Sequence, residues 1–286
     1  MQLFRQTKVE HTVGSKPFIG RDFSIHMSGH RLNAYKSSGN QGAYNNGTFI
    51  VDPLHEDKPK KDDMEGENKD GKDVKPDDPE APLESIQTFN VRMENNWSGV
   101  IGNQHVPSLS EWQQTLLKSK ENGMFLFYGL GSALSYFSPS KLVGLRLNGC
   151  QMALLLGNTA TDGSYRRQGK LNNQKVPEMI KLERSRESAA MMSMCGVNSV
   201  VVNNWANSLH ANRRLYLKLM PELKGGKGIS DALHEVLRSY NEKPRKPRDA
   251  KLIQKYEEEL ANYKPALKLR VRYNAVVYGL PHLTFK

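Results

Sequence analysis

The sequence has few cysteines and no long hydrophobic run, and both absences exclude broad classes of protein. Its 286 residues include two cysteines, Cys150 and Cys195, too few for the disulfide framework of a small secreted domain. No apolar run approaches the ~20 residues that cross a bilayer, and the first residues lack the apolar core of a signal peptide. We therefore expect a cytoplasmic protein without a membrane span.

Metal and nucleotide motifs are also missing. The eight histidines show no metal-ligand spacing, and neither cysteine has a second ligand nearby in sequence. "GLGSAL" (129–134) lacks the third glycine of a dinucleotide fingerprint, and "LKGGKGIS" (223–230) joins two predicted helices instead of following a strand. The sequence predicts no metal, no cofactor and no small-molecule substrate.

The charge is unevenly distributed along the chain. The net charge is +11, yet residues 56–80 hold 11 acidic residues and 6 lysines. Residues 55–82 lack apolar periodicity, which predicts a disordered, dispensable insertion in the protein surface. The rest of the chain is strongly basic and suits an acidic partner, although a solvated basic surface explains the charge equally well.

The apolar pattern predicts alternating helices and strands. Residues 106–123 form a predicted helix with a capping box at Ser108 and Glu111 and an apolar stripe at Leu109, Trp112 and Leu116. Strands separated by helices predict a mostly parallel sheet with helices on both faces and the strand carboxyl ends on one rim. The other predicted helices are 138–145, 176–195, 208–223 and 229–240, and the predicted strands are 47–53, 124–128, 150–158, 198–205 and 274–279.

An ordered set of segments resembles the C-terminal protease domain of separases and the related CHAT domains. The segments are 125–136 ("FLFYGLGSALSY"), 149–165 ("GCQMALLLGNTATDGSY"), 188–219 and 267–281, and the resemblance covers roughly residues 45–286. It implies a caspase-like three-layer α/β fold. It also implies a domain plan: a lead-in (1–54), the insertion (55–82), and an α/β body (83–286) interrupted by a basic insertion (243–264).

The resemblance places two catalytic residues at the ends of neighbouring strands. Active relatives carry a Gly-His-Gly turn with the general base, and the next strand ends in Gly-Cys with the nucleophile. Here Leu130 stands at the histidine position and Asn158 at the cysteine position. The resemblance therefore implies a chain without the catalytic dyad. Family members also often carry an acid just after the tryptophan that ends the strand 198–205, and here Ala206-Asn207 follow that tryptophan.

Other residues are weak substitutes for the dyad. Cys150 begins the strand that ends near Asn158, so we expect it at the opposite end of the sheet, buried like Cys195. Ser132 and Thr159 lie at the predicted rim without a histidine beside them in sequence. His210 is the imidazole expected nearest that rim, and a surface histidine at a helix start is the commoner explanation of it.

A basic tract offers a candidate partner-binding site. Residues 238–264 contain proline-flanked bases followed by an amphipathic stretch, so the tract is either a solvated insertion or a docking arm for an acidic protein. Nucleic acid is less favoured, because no stacking platform or known reading motif accompanies the charge. The candidate bases are Lys243, Arg245, Lys246 and Arg248.

These observations favour a catalytically inactive separase-like or CHAT-like module that binds proteins. We expect it to be a scaffold domain, the C-terminal part of a larger eukaryotic protein that could belong to a cilium or the cytoskeleton. Two alternatives stay open: an active peptidase with a displaced cysteine or hydroxyl nucleophile, and a basic nucleic-acid-binding module. A thiol-reactive probe tests the first alternative, and salt-dependent binding to DNA or RNA tests the second.

Overall fold

A six-stranded sheet forms the centre of the molecule. The computed structural model describes residues 21–38, 46–51, 96–101, 108–134, 137–159, 175–207, 209–239 and 273–285. The strand order is β2-β1-β3-β4-β5-β6, and every neighbouring pair is parallel except β5 and β6, which are antiparallel. The strands are β1 (Asn46–Val51), β2 (Asn96–Ile101), β3 (Met124–Leu130), β4 (Met152–Thr159), β5 (Ser199–Asn203) and β6 (Ala275–Gly279).

Helices cover both faces of this sheet. The described helices are α1 (Ile25–Ser38), α2 (Leu109–Asn122), α3 (Pro139–Val143), α4 (Pro177–Lys181), α5 (Ser185–Met194), α6 (Leu209–Lys224) and α7 (Ile229–Ser239). Side chains of α6 and α7 pack on one face, and side chains of α2, α3 and α5 pack on the other. The fold is therefore the predicted three-layer α/β arrangement.

The apolar runs form strands because both of their faces are buried. Leu126 and Tyr128 of β3 belong to the core under α6 and α7, whereas Phe125 and Phe127 belong to the core under α2 and α5. All four side chains are at most 1% exposed. A strand buried on both faces needs apolar residues at every position, which is why these runs do not alternate with polar residues.

Local signals in the sequence fix the ends of α2. The Ser108 side chain accepts a hydrogen bond from the Glu111 amide at 3.2 Å, and the Glu111 carboxylate accepts one from the Ser108 amide at 2.7 Å. Gly123 ends the helix with a φ of 80°, a left-handed conformation that favours glycine. The predicted capping box and helix stop are confirmed, but Leu109 of the predicted apolar stripe is 43% exposed.

Several other sequence predictions are corrected by the structure. The predicted helix 176–195 is two helices, because Leu182 turns into the core and its carbonyl accepts hydrogen bonds from Ser132 and Ser188. The antiparallel β6 begins, rather than ends, at the rim that holds the other carboxyl ends. The sequence analysis missed α1 and β2.

The charged segment 55–82 and the basic insertion 243–264 lie outside the described residues, as does most of the lead-in 1–54. The described part of the chain contains no helix that is long and apolar enough to cross a membrane.

Candidate functional site

The carboxyl ends of β3 and β4 lie side by side. Tyr128 pairs with Leu156, and after an irregularity in the register Leu130 pairs with Thr159. Asn158 directly precedes Thr159, so the backbone places Leu130 and Asn158 at adjacent ends of two parallel strands. We call this end of the sheet, with the described residues that follow β3 and β5, the carboxyl rim.

Two glycines, Gly131 and Gly157, let the turn after β3 approach the end of β4 closely. Gly131 has a φ of 76°, which a residue with a side chain rarely adopts. A Cβ atom on Gly157 would lie 2.3 Å from the carbonyl oxygen of Gly131 and 3.1 Å from the Phe127 ring. Backbone conformation at Gly131 and close backbone contact at Gly157 therefore favour glycine at these two positions, whatever side chains stand beside them.

A buried cluster of three asparagines holds the end of β4. The Asn212 side chain, which is 0% exposed, donates to the Leu156 carbonyl at 3.0 Å. The Asn203 side chain donates to the Gly157 carbonyl at 3.1 Å and to Asn212 Oδ1 at 2.8 Å. Asn207 also donates to Asn212 Oδ1, at 2.9 Å. This asparagine cluster (Asn203, Asn207 and Asn212) thus holds the end of β4, where Asn158 lies.

The bonds within the cluster determine the orientation of its amides. Because Asn212 donates to a main-chain carbonyl, its Oδ1 must face Asn203 and accept from Nδ2 of that residue. This leaves Asn203 Oδ1 buried without a hydrogen-bond partner among the described residues. Asn207, where the resemblance leads us to expect an acid, thus bonds to Asn212 and supports the fold.

Serine hydroxyls at the rim are also directed to carbonyl groups. Ser132 donates to the Leu182 carbonyl at 3.1 Å, and Ser188 donates to the same oxygen. Ser185 donates to the carbonyl of Asn203. These serines line a cavity of about 20 Å³ together with Asn203 and Glu183, and no histidine or cysteine is among its described lining residues. Histidine is the base that most often activates a hydroxyl nucleophile, and the carboxylate in this lining, Glu183, is ion-paired with Lys175 at 2.7 Å.

The two thiols lie before β4 and β5, at the opposite end of the sheet from the rim. Burial raises the pKa of Cys150 to about 12, and the side chain is 0% exposed. Burial likewise raises the pKa of Cys195 to about 11, and its thiol donates to the Leu142 carbonyl at 3.0 Å. The predictions that both cysteines are buried are confirmed, and neither thiol is activated as a nucleophile must be.

The remaining candidate residues from the sequence analysis are His210 and the four bases of the basic tract. His210 is the second residue of α6, which follows β5. Lys243, Arg245, Lys246 and Arg248 lie outside the described residues, and their role stays a prediction. Within the described ranges, no group of three or more His, Cys, Asp or Glu side chains could hold a metal ion.

The sequence analysis missed the asparagine cluster. Four asparagines between residues 203 and 212 were its visible signal, because asparagine is uncommon beside a buried strand. Trp205, which follows β5, is 37% exposed, and its amide donates to Asn274 Oδ1 at 2.9 Å. The residue that precedes the antiparallel strand β6 thus reaches the rim.

Comparison with known proteins supports the fold and gives a distant relative. No family model matches the chain. Cilia- and flagella-associated protein 46 of Chlamydomonas reinhardtii is 30% identical over 112 residues, which make up 39% of this chain and 4% of that protein.

Two crystal structures of the Saccharomyces cerevisiae separase–securin complex, at 3.0 and 2.6 Å resolution, are structurally similar to the chain, each with a TM-score of 0.51. Their sequence identities are 14% and 13%, and they cover 92% and 94% of this chain but 14% of the solved chains. The chain therefore spans a small part of the proteins it matches. At these identities the likeness concerns the fold: the chain has a mixed α/β fold, with a mostly parallel six-stranded sheet, like the caspase-like region of separase.

Proposed function

We propose that the chain is a catalytically inactive, separase-like peptidase module that binds proteins as part of a larger ciliary protein. The observation that carries this proposal is the composition of the carboxyl rim. The two adjacent strand ends where the fold family places its histidine and cysteine hold Leu130 and Asn158.

The chemistry of the two residues supports inactivity. Leucine has no proton to exchange and cannot act as a general base, and an asparagine amide is a poor nucleophile at neutral pH. The thiols of Cys150 and Cys195 are buried with raised pKa values. The Ser132 hydroxyl donates to a main-chain carbonyl. The surroundings of Cys150, Cys195 and Ser132 thus account for these three residues without a catalytic role.

The relatives support a role in an assembly. One is a cilia- and flagella-associated protein, of which the matched region is a small part, and the structural neighbours are separase bound to securin. A folded domain that has kept its sheet and its rim glycines but not its dyad still offers a surface for protein partners. The net charge of +11 favours partners with acidic surfaces.

A peptidase assay tests the loss of catalysis. We expect the natural chain neither to cleave a peptide library nor to react selectively with thiol-directed peptidase probes. The double variant Leu130→His with Asn158→Cys restores both groups on their own turns, and we expect it to show weak activity at most, since Asn207 supports the fold where relatives carry an acid. Cleavage by the natural chain that is lost in Cys150→Ser or Cys195→Ser would refute the proposal. Loss in Thr159→Ala or Ser132→Ala would instead reveal a hydroxyl nucleophile.

Partner capture from ciliated cells tests the interaction role. The tagged full chain is compared with variants that lack residues 55–82 or residues 243–264. We expect ciliary localisation and a reproducible set of partners that is reduced by deletion of 243–264 and unchanged by deletion of 55–82. A chain that localises elsewhere and retains no partner would contradict the assembly role, while the peptidase assay would still decide inactivity separately.

A further inference from the structure

The two edges of the sheet differ in whether another part of the chain covers them. At the β6 edge, the Arg21 amide donates to the Val277 carbonyl at 2.9 Å, and the Gly279 amide donates to the Arg21 carbonyl at 2.7 Å. At the other edge, β2 pairs with β1 alone. Within the described ranges no group bonds to the outer side of β2, so no described part of the chain occupies the position of a further strand there.

The sequence of β2 does not protect this edge. Natural proteins guard exposed edge strands with charged residues, proline or a covering segment. The six residues of β2, "NWSGVI", include neither a charged residue nor a proline, and Ser98 and Gly99 are exposed. Such an edge can accept an extended chain, which would continue the main-chain hydrogen bonding of the sheet.

Two glycines, Gly47 and Gly99, allow β2 to pack closely against β1. A Cβ atom on Gly47 would lie 2.6 Å from the Trp97 ring, and one on Gly99 would lie 2.0 Å from the Phe49 carbonyl oxygen. Six consecutive residue pairs keep the two strands in register, and Ile101 is 6% exposed. The edge is thus ordered before any partner arrives, which reduces the entropy lost on binding.

We propose that the outer edge of β2 binds an extended, acidic segment of a partner protein as a seventh strand of the sheet. This inference rests on the proposed function and adds the mode of binding. A six-residue strand is ~20 Å long, a length that suits a short peptide but falls short of the ~1,200–2,000 Å² that stable complexes of folded proteins bury. The net charge of +11 favours acidic residues beside the pairing segment and disfavours a second copy of this chain.

The test uses the full chain and a fluorescent peptide of alternating Thr and Val residues flanked by Glu at both ends. We expect binding to raise the peptide's anisotropy and to slow amide hydrogen exchange in residues 96–101. The Ser98→Glu variant places a negative charge at the edge and should weaken binding at least ~10-fold, because like charges across strands repel. Ser98→Thr is the matched neutral control and should bind like the natural chain, and a peptide with a central proline should not bind.

Three results would overturn this inference. They are equal binding by Ser98→Glu, protection at the carboxyl rim instead of β2, and a dimer of the chain that Ser98→Glu dissociates. The proposed function fails separately: peptidase activity would refute it even if the peptide pairs with β2. Conversely, an inactive chain whose captured partners are all retained by Ser98→Glu would contradict the β2 inference alone.

Discussion

The two ends of the sheet differ in the kinds of buried polar side chain that they hold and in the hydrogen bonds that those side chains make. At the carboxyl rim, asparagine and serine side chains direct their hydrogens to main-chain carbonyls of β4, β5 and the segment after α4. At the amino end, the buried polar groups include the two thiols and two hydrogen-bonded side chains. Asn198 donates to Gln151 Oε1 at 2.7 Å, and Ser199 donates to the Leu280 carbonyl at 2.6 Å. Hydrogen bonds therefore hold both ends, and the two thiols distinguish the amino end. The polar side chains of the rim support the backbone.

The largest effect is expected at Asn212, the centre of the asparagine cluster. Asn212→Leu keeps the volume but removes the donor to the Leu156 carbonyl and the acceptor of the Asn203 and Asn207 side-chain amides. We expect the free energy of unfolding in urea to fall by about 2–4 kcal/mol. Asn204→Ala is the control, because that side chain is partly exposed and donates one 3.3 Å bond, to the Tyr273 carbonyl. A similar loss in both variants would show that the cluster does not hold the rim.

Gly157 provides the next test of the rim. Gly157→Ala places a Cβ atom within 2.3 Å of the Gly131 carbonyl oxygen, so the end of β4 and the turn after β3 must move apart. We expect a loss of about 1–3 kcal/mol in the free energy of unfolding. The control is Gly144→Ala, where φ is −71° and the nearest atom would lie 3.5 Å away. That variant should be neutral or stabilised by about 0.4–1 kcal/mol.

The buried thiols test the amino end. Both pKa values are raised, so above the usual thiol pKa of ~8.5 the unfolded chain loses protons that the native chain retains. This contribution to stability is complete below pH ~8.5 and is lost as the pH rises toward 11–12. We expect Cys150→Ala to flatten the fall in melting temperature over this range, and iodoacetamide to label native thiols far more slowly than urea-unfolded ones.

The smallest effect is expected outside both ends, at the capping box of α2. Ser108→Ala removes the acceptor of the Glu111 amide and should cost about 1 kcal/mol. Ser110→Ala is the control in the same exposed first turn and should leave the free energy of unfolding nearly unchanged. A loss at Ser110 as large as that at Ser108 would mean that capping is not the cause.

The central strands and the ends of α2 could be predicted because their signals are local. Residues 124–128, 152–156 and 200–202 of β3, β4 and β5 are buried and apolar at every position, and Gly123 ends α2 through its own backbone conformation. The α/β class follows from the alternation of such runs with helices.

Other features depend on contacts between distant residues. The edge strand β2 contains a glycine and several polar residues, and Trp97 lies over Gly47, about 50 residues earlier. The break between α4 and α5 forms because Ser132, 50 residues away, bonds to Leu182. The asparagine cluster likewise joins α6 to β4 across more than 50 residues. No local pattern in the sequence predicts these contacts.

The covering of the β6 edge has a consequence for the order of folding. Arg21 bridges to Tyr278, and the Phe23 ring stacks on Tyr278 with 5.0 Å between ring centroids. The first described residues thus dock on residues that are synthesised more than 200 positions later. At roughly 5–20 residues per second, α1 must wait at least ten seconds or so for its docking surface to be synthesised. We expect ribosome-bound chains that stop before residue 275 to leave residues 21–38 open to proteases, and longer chains to protect them.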